Sequence, residues 1–191
     1  MQLILASQSP RRKELLGLFQ IPFTVCAANI DETMDPTRPV AEEVARLSRE
    51  KALAVEREPE DVVIAADTVV VLDGEILGKP RDVEDAYRML KLLSGSVHQI
   101  MTGMTVLRGE WMQTHTEISE VKFRHLTDKE INDYIATGEP MDKAGAYAIQ
   151  LRGALFVEAV HGDYSSIVGL PVCRLRQMLL EAAPELMGDM A

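Results

Sequence analysis

Residues Leu5 to Leu16 read LASQSPRRKELL: a Ser-rich turn leads from an apolar run into a helix opening on Arg11, Arg12 and Lys13, with Glu14 only behind them. Acids belong in the first turn of a helix, and cations there are repelled by its dipole at a cost of a few tenths of a kcal/mol. One such cation reads as part of a solvated basic face. Three together, after a turn at the carboxyl end of a strand, read as an anion site. Backbone N–H groups and guanidinium forks would meet phosphate oxygens there, and Ser7 and Ser9 would add hydroxyl donors. One of Arg11 and Lys13 is expected to face solvent.

Four further stretches carry charges where ordinary packing does not ask for them. Lys51 falls on the stripe Val40, Val44, Leu47, Lys51, Val55 of a helix. A lysine there either snorkels to water or is buried against a partner, since an unpaired buried ammonium is expensive. Asp67 ends the apolar run VVIAAD, so its carboxylate is expected at a sheet edge, where open α/β sheets border ligand crevices. Lys79 sits in the turn GKP, and Asp31 and Glu32 sit in the loop NIDE. That pair is either solvated or a set of hard oxygen ligands for Mg²⁺. Cations for a polyphosphate and carboxylates for a metal are thus both present. No Cys/His zinc spacing, Walker loop, GxSxG or GxGxxG motif competes with them.

The elements that must position these groups alternate along the chain. QLILA reads as a short strand, followed by a helix from Pro10 to Phe19 with Ser9 as its N-cap. FTVCAA reads as a second strand, and the apolar stripe predicts a helix from Pro39 to Arg57. VVIAADTVVVLDGEILGKP reads as a buried strand turning back in a hairpin at Asp73-Gly74. A helix capped by Asp82 runs to Ser94 and stops at Gly95. VHQIMTGMTVLRG and Trp111 to Phe123 read as long paired strands. Thr127 and Glu130 form a capping box for a helix ending before Gly138. ALFVEAV is a late strand, and Pro171 to Ala182 the last helix. Hairpins mixed with crossovers predict a mixed α/β sheet.

Composition sets the class. The chain has 191 residues, enough for one domain with a substantial core, and 47% of them are hydrophobic against 26% charged. A net charge of -10 argues against a nucleic-acid surface or an anionic membrane as partner. No apolar run approaches the ~18 residues of a membrane span, and no basic segment precedes an apolar one at the start. A cytoplasmic location is expected, with Cys26 and Cys173 as free thiols.

The motifs LASQSPRRKELL, IDE, SREKA, AADTVV, GKP, SGSVHQIMTG, GEPMDKAGAYAIQ and VGLPV together resemble the Maf-type nucleotide pyrophosphatases, once called septum-formation proteins. They occur in order through almost the whole chain. The resemblance implies one domain over residues 1–191 with an elongated, two-lobed α/β fold of the inosine-triphosphate-pyrophosphatase-like (Maf/Ham1) type and a central cleft. It implies hydrolysis of a nucleoside triphosphate to monophosphate and pyrophosphate, dependence on Mg²⁺ or Mn²⁺, and often a homodimer. The family's proton acceptor falls on Asp67 and its specificity positions on Arg12, Thr68 and Gln150. Its other polar residues fall on Ser7, Glu32, Lys51 and Lys79, the first and the two lysines near phosphate and Glu32 near the metal. Asp67 can serve as base or as metal ligand, since one carboxylate can do either. Thr68 and Gln150 match the edge of uracil or thymine, so dTTP and UTP are the expected substrates. The alternatives are 7-methyl-GTP, taken by a sister group, and nucleotide binding without turnover.

Overall fold

The computed structural model describes residues 1–188. In chain order the elements are β1 (Leu3–Leu5), α1 (Pro10–Gly17), β2 (Phe23–Val25), α2 (Val40–Leu53), β3 (Val62–Leu72), β4 (Glu75–Leu77), α3 (Val83–Leu93), β5 (Val97–Arg108), β6 (Trp111–Phe123), α4 (Asp128–Ile135), β7 (Val157–His161), α5 (Tyr164–Val168), α6 (Val172–Ala182) and α7 (Pro184–Met187). Three 3₁₀ segments, Glu139–Asp142, Ala144–Ala146 and Arg152–Phe156, lie between α4 and β7. The strands form one seven-stranded sheet in the order β2-β1-β3-β5-β6-β7, with β4 paired to β3. It is mixed, as expected: β1 runs parallel to β2 and β3, whereas β3/β4 and β6/β7 are antiparallel. Among the described residues no helix is long and apolar enough to cross a membrane.

Contacts divide the chain into two compact units: Met1–Asp67 with Thr102–Glu117 and Gly169–Ala191, and Thr68–Met101 with Ile118–Val168. In the first unit the alternation of β3 builds two cores. Val62, Ile64 and Ala66 pack with Leu3, Leu5 and Leu16 and with Leu175 and Leu179 of α6. Val63 and Ala65 point the other way, to Ala52 of α2 and to Val55. Val44 and Leu47, on the apolar stripe of α2, are buried, each such side chain contributing about 1.5–3 kcal/mol. In the second unit α3 and α4 pack with Val121, Phe123 and Tyr147.

Several sequence signals hold to the residue. Asp82 accepts from the Asp85 N–H at 2.8 Å, and Thr127 with Glu130 makes the full capping box. Asp73 and Gly74 both take positive φ, 50° and 84°, as a tight hairpin demands. Others shift for identifiable reasons. Helix α1 ends at Gly17 because Leu18, Phe19 and Gln20 donate to the carbonyls three residues back, tightening the last turn. Helix α2 ends at Leu53, where the Arg57 guanidinium donates to the Leu53 and Val55 carbonyls. Strand β2 covers only Phe23–Val25 because its partner β1 stops at Leu5. The stretch ALFVEAV becomes a strand only from Val157, since Ala154 to Phe156 belong to a 3₁₀ segment, in which the Ala154 N–H donates to the Leu151 carbonyl at 3.0 Å.

Helix α2 is seated closely on the sheet. A Cβ on Gly103 of β5 would collide with the Val44 carbonyl. Nearby, the Ser48 hydroxyl bonds the Thr105 hydroxyl at 2.8 Å, and Thr105 bonds Thr114 at 2.9 Å. Gly103→Ala is therefore expected to lift α2, costing about 1–3 kcal/mol and lowering Tm by about 5 °C. Gly17, where a Cβ would meet nothing within 4 Å, is the control: Gly17→Ala should leave Tm unchanged or raise it. Equal Tm values for both variants in a thermal melt would refute the close seating of α2.

Candidate active site

Strand parity and the stripe of α2 meet at one point. Asp67 follows Val63 and Ala65 on the α2 face of β3, three residues beyond Ile64, the last residue paired with β1. It is not at a strand end or a sheet edge, as its position after an apolar run implied. Strand β3 continues to Leu72 and lies inside the sheet, so the carboxylate emerges instead where the shorter β1 has ended. Asp67 is 7% exposed, and so is Lys51. Their buried charges are paired: Lys51 Nζ donates to Asp67 Oδ1 at 2.7 Å. The same ammonium lies 3.1 Å from Glu32 Oε1. Lys51 therefore does not snorkel, and in this structure its partners are the two carboxylates.

Arg12 stands beside this group. Its Nε donates to the Gly169 carbonyl at 2.9 Å, and Nη1 donates to the buried Ser7 hydroxyl at 3.3 Å. Burial holds the guanidinium below its ordinary pKa; Asp67 and Glu32 oppose that shift, whereas Arg11 adds to it. The residue still carries its charge, as arginine does throughout the accessible pH range. Ser9 occupies the N-cap position of α1 but makes no side-chain cap bond; instead its N–H donates to Ser7 Oγ at 3.2 Å. The first turn of α1 holds no acid, and Arg11 and Lys13 are both half-buried.

The loop carrying Glu32 is held by Asp31 and by Glu43 and Arg46 of α2. Asp31 accepts from the N–H and hydroxyl of Thr33 at 2.9 and 2.6 Å, which lowers its pKa. It therefore serves the loop and does not join Glu32 at Lys51. Arg46 of α2 donates to the Thr33 carbonyl at 2.9 Å, and Glu43 accepts from the Asp35 N–H at 2.8 Å. Glu43 also bonds Arg46, and these bonds bring its pKa down to about 2. The i, i+3 and i, i+4 spacing of Glu43, Arg46 and Glu50 was the signal available.

Ser7, Arg12, Glu32, Lys51 and Asp67 thus stand in the first unit, and Ser7, Arg12, Lys51 and the two acids are linked as described. Thr68, Lys79 and Gln150 belong to the second unit. Thr68 follows Asp67 in β3 and is half-buried, whereas Lys79 and Gln150 are exposed on loops. Those two loops are tied together by the Gly145 N–H, which donates to the Gly78 carbonyl at 3.0 Å.

The family model described as Maf-like protein matches residues 2–182. The chain belongs to the Maf family. Its curated relatives include a dTTP/UTP pyrophosphatase of Bacillus pumilus, 50% identical across 93% of this chain and 95% of the relative. Another dTTP/UTP pyrophosphatase, from Geobacillus sp. (strain WCH70), is 51% identical across 91% and 94%. Among solved structures, the Staphylococcus aureus Ham1 protein superposes with a TM-score of 0.50 over 95% of this chain and 98% of that one. At 15% identity that likeness concerns the fold alone, and it agrees with the Maf/Ham1-type architecture expected of a Maf protein.

In this Maf protein the donor set fits a hard divalent cation. Glu32 and Asp67 both reach the Lys51 ammonium, so two carboxylates converge on one charge-sized position. Among the described residues no group of three or more His, Cys, Asp or Glu could hold an ion unaided. Two carboxylates completed by phosphate oxygens is a usual arrangement for Mg²⁺. Lys51→Met would leave Asp67 buried without its ammonium and is expected to cost about 3–5 kcal/mol. Adding Asp67→Asn should recover more than half of that loss in urea unfolding. A single variant within 1 kcal/mol of wild type, by roughly the surface-pair scale, would show that the pair does not matter to stability.

Proposed function

We propose that this protein hydrolyses dTTP and UTP to the nucleoside monophosphate and pyrophosphate. The observation that carries the reading is the convergence of Asp67 and Glu32 on Lys51, beside an Arg12 guanidinium already fixed by Gly169 and Ser7. Curated relatives of about 50% identity over nearly the full chain, named dTTP/UTP pyrophosphatase, support the same substrates.

Arg12, the Ser7 hydroxyl and the start of α1 bind phosphate oxygens, concentrating cations locally in a chain whose net charge is -10. Lys51 turns from the carboxylates toward the triphosphate, and Lys79 adds charge to the departing end. Glu32 and Asp67 would hold Mg²⁺ or Mn²⁺, which would supply neutralisation of phosphate charge. Asp67 Oδ2 orients the attacking water and takes its proton. The water oxygen bonds to phosphorus, the bridging P–O bond breaks, and pyrophosphate leaves with that electron pair. Gln150, with one acceptor and two donors, meets the N3–H and flanking carbonyls of uracil or thymine, and Thr68 donates or accepts beside it.

Two measurements test this. Pyrophosphate release is expected to need a divalent cation and to fall at least about a hundredfold in Asp67→Asn. Near-normal turnover in excess chelator, or by that variant, would defeat the mechanism. Ranking kcat/KM for UTP, dTTP, CTP, GTP and 7-methyl-GTP should place the first two on top in the wild type. Gln150→Glu, whose carboxylate suits the paired N–H donors of guanine, should shift the ranking toward the purines. A wild-type purine preference, or a ranking indifferent to Gln150→Glu, would overturn the pyrimidine assignment.

A further inference from the structure

Gln150 is exposed, and an amide on a loop can discriminate between bases only if the backbone beneath it is held still. The second unit holds that backbone on both sides. Leu151 N–H donates to the Ala148 carbonyl at 3.2 Å, closing the turn that carries Gln150. Before the turn, the Ala148 N–H donates to the Tyr134 hydroxyl at 3.3 Å, and that hydroxyl donates to Glu139 Oε1 at 2.7 Å. After the turn, the N–H groups of Arg152 and Gly153 donate to Glu139 Oε2 and Oε1, each at 3.3 Å.

The two sides also touch. A Cβ at Gly153 would lie 2.6 Å from the Ala148 carbonyl oxygen, so only glycine lets the loop close this tightly. Upstream, the buried Tyr147 hydroxyl bonds His98 Nε2 at 2.8 Å. Burial, and then the bond to Glu139, raise the Tyr134 pKa and keep its hydroxyl a donor. The Glu139 carboxylate is the common acceptor of both sides, and only an acceptor without protons satisfies all three donors at once.

We propose that Glu139 is a positioning residue for base selection, its carboxylate holding the Gln150 turn through the Tyr134 hydroxyl and the N–H groups of Arg152 and Gly153. This rests on the reading that Gln150 meets the base. A glutamine in its place turns an N–H₂ group toward at least one of these donors. The loop then loosens while Asp67, Lys51 and Arg12, which belong to the other unit, keep their own bonds.

The test compares kcat and KM for UTP, dTTP, CTP and GTP in wild type, Glu139→Gln, Tyr134→Phe, Gln150→Ala and the double variant Glu139→Gln/Gln150→Ala. Hydrogen exchange at Ala148, Arg152 and Gly153 is followed in parallel. Glu139→Gln is expected to raise KM for UTP about tenfold with kcat within about twofold, to narrow the gap between UTP and CTP, and to speed exchange at those three positions. In the Gln150→Ala background the kinetic effect should vanish, because a held turn with no amide on it selects nothing. Tyr134→Phe carries the test if Glu139→Gln does not fold. If Gln150→Ala alters the ranking but neither clamp variant does, the proposal falls and the role of Gln150 stands. If Gln150→Ala leaves the ranking untouched, the underlying reading falls, and the proposal with it. An equal loss of kcat for every nucleotide, persisting in the double variant, would mark Glu139 as merely structural.

Discussion

A buried ammonium shared by two carboxylates is the interaction on which the first unit depends. Lys51 and Asp67 are both almost fully enclosed, and neither charge could be buried alone without losing several kcal/mol of hydration. Each therefore requires the other. Their meeting in turn requires that α2 lie close to the sheet and that Asp67 face it. The bare backbone at Gly103 and the Ser48–Thr105–Thr114 hydroxyl chain secure the first condition. The two-residue period of β3 secures the second, because Val63 and Ala65 commit every odd position to that face. The charge pair is thereby placed beyond the end of β1, where the edge of β3 is no longer paired with it.

The basic opening of α1 follows from the same requirement. Three cations in a first turn oppose the helix dipole, and the sequence shows no acid there to relieve them. Relief comes from outside the helix. Asp67 and Glu32 counter the burial of Arg12, and the Gly169 carbonyl and the Ser7 hydroxyl fix its direction. The carboxylates therefore act twice, balancing Lys51 and Arg12 in the protein itself and, in the proposed reaction, holding metal and water once a triphosphate engages those cations.

The second unit solves a different problem, that of holding the exposed turn that carries Gln150. Between α4 and β7 the chain forms three 3₁₀ segments, whose amides cannot all be paired within so few residues. Side chains take up the remainder, with Glu139 and Tyr134 accepting three of these N–H groups. This 3₁₀ geometry is also why the strand β7 begins three residues later than ALFVEAV implied.

Much was legible from residue order alone, because it depends on local rules. Capping by Asp82 and Thr127, the Asp73-Gly74 hairpin and the long strands β5 and β6 are set by neighbours a few residues away, and they appear where expected. The odd placement of Lys51 on an apolar stripe, of Asp67 in an apolar strand and of cations at a helix start was visible too, since each violates such a rule. The partners of those charges were not visible. Periodicity says that a side chain faces a core, but not what faces it from the other side, so the contacts of Lys51 with Asp67 and Glu32 could not be read from it. Asp31 looked equal to Glu32 until the loop turned it to Thr33, and nothing local marked Glu139 as the acceptor shared by residues on both sides of Gln150. The Asp31–Thr33 and Tyr134–Glu139 bonds are local, two and five residues apart, but the contacts of Arg12, Arg46, Lys51 and the Glu139 carboxylate with Arg152 join positions from 13 to 157 residues apart, and only the packing of whole elements brings such positions within hydrogen-bond reach.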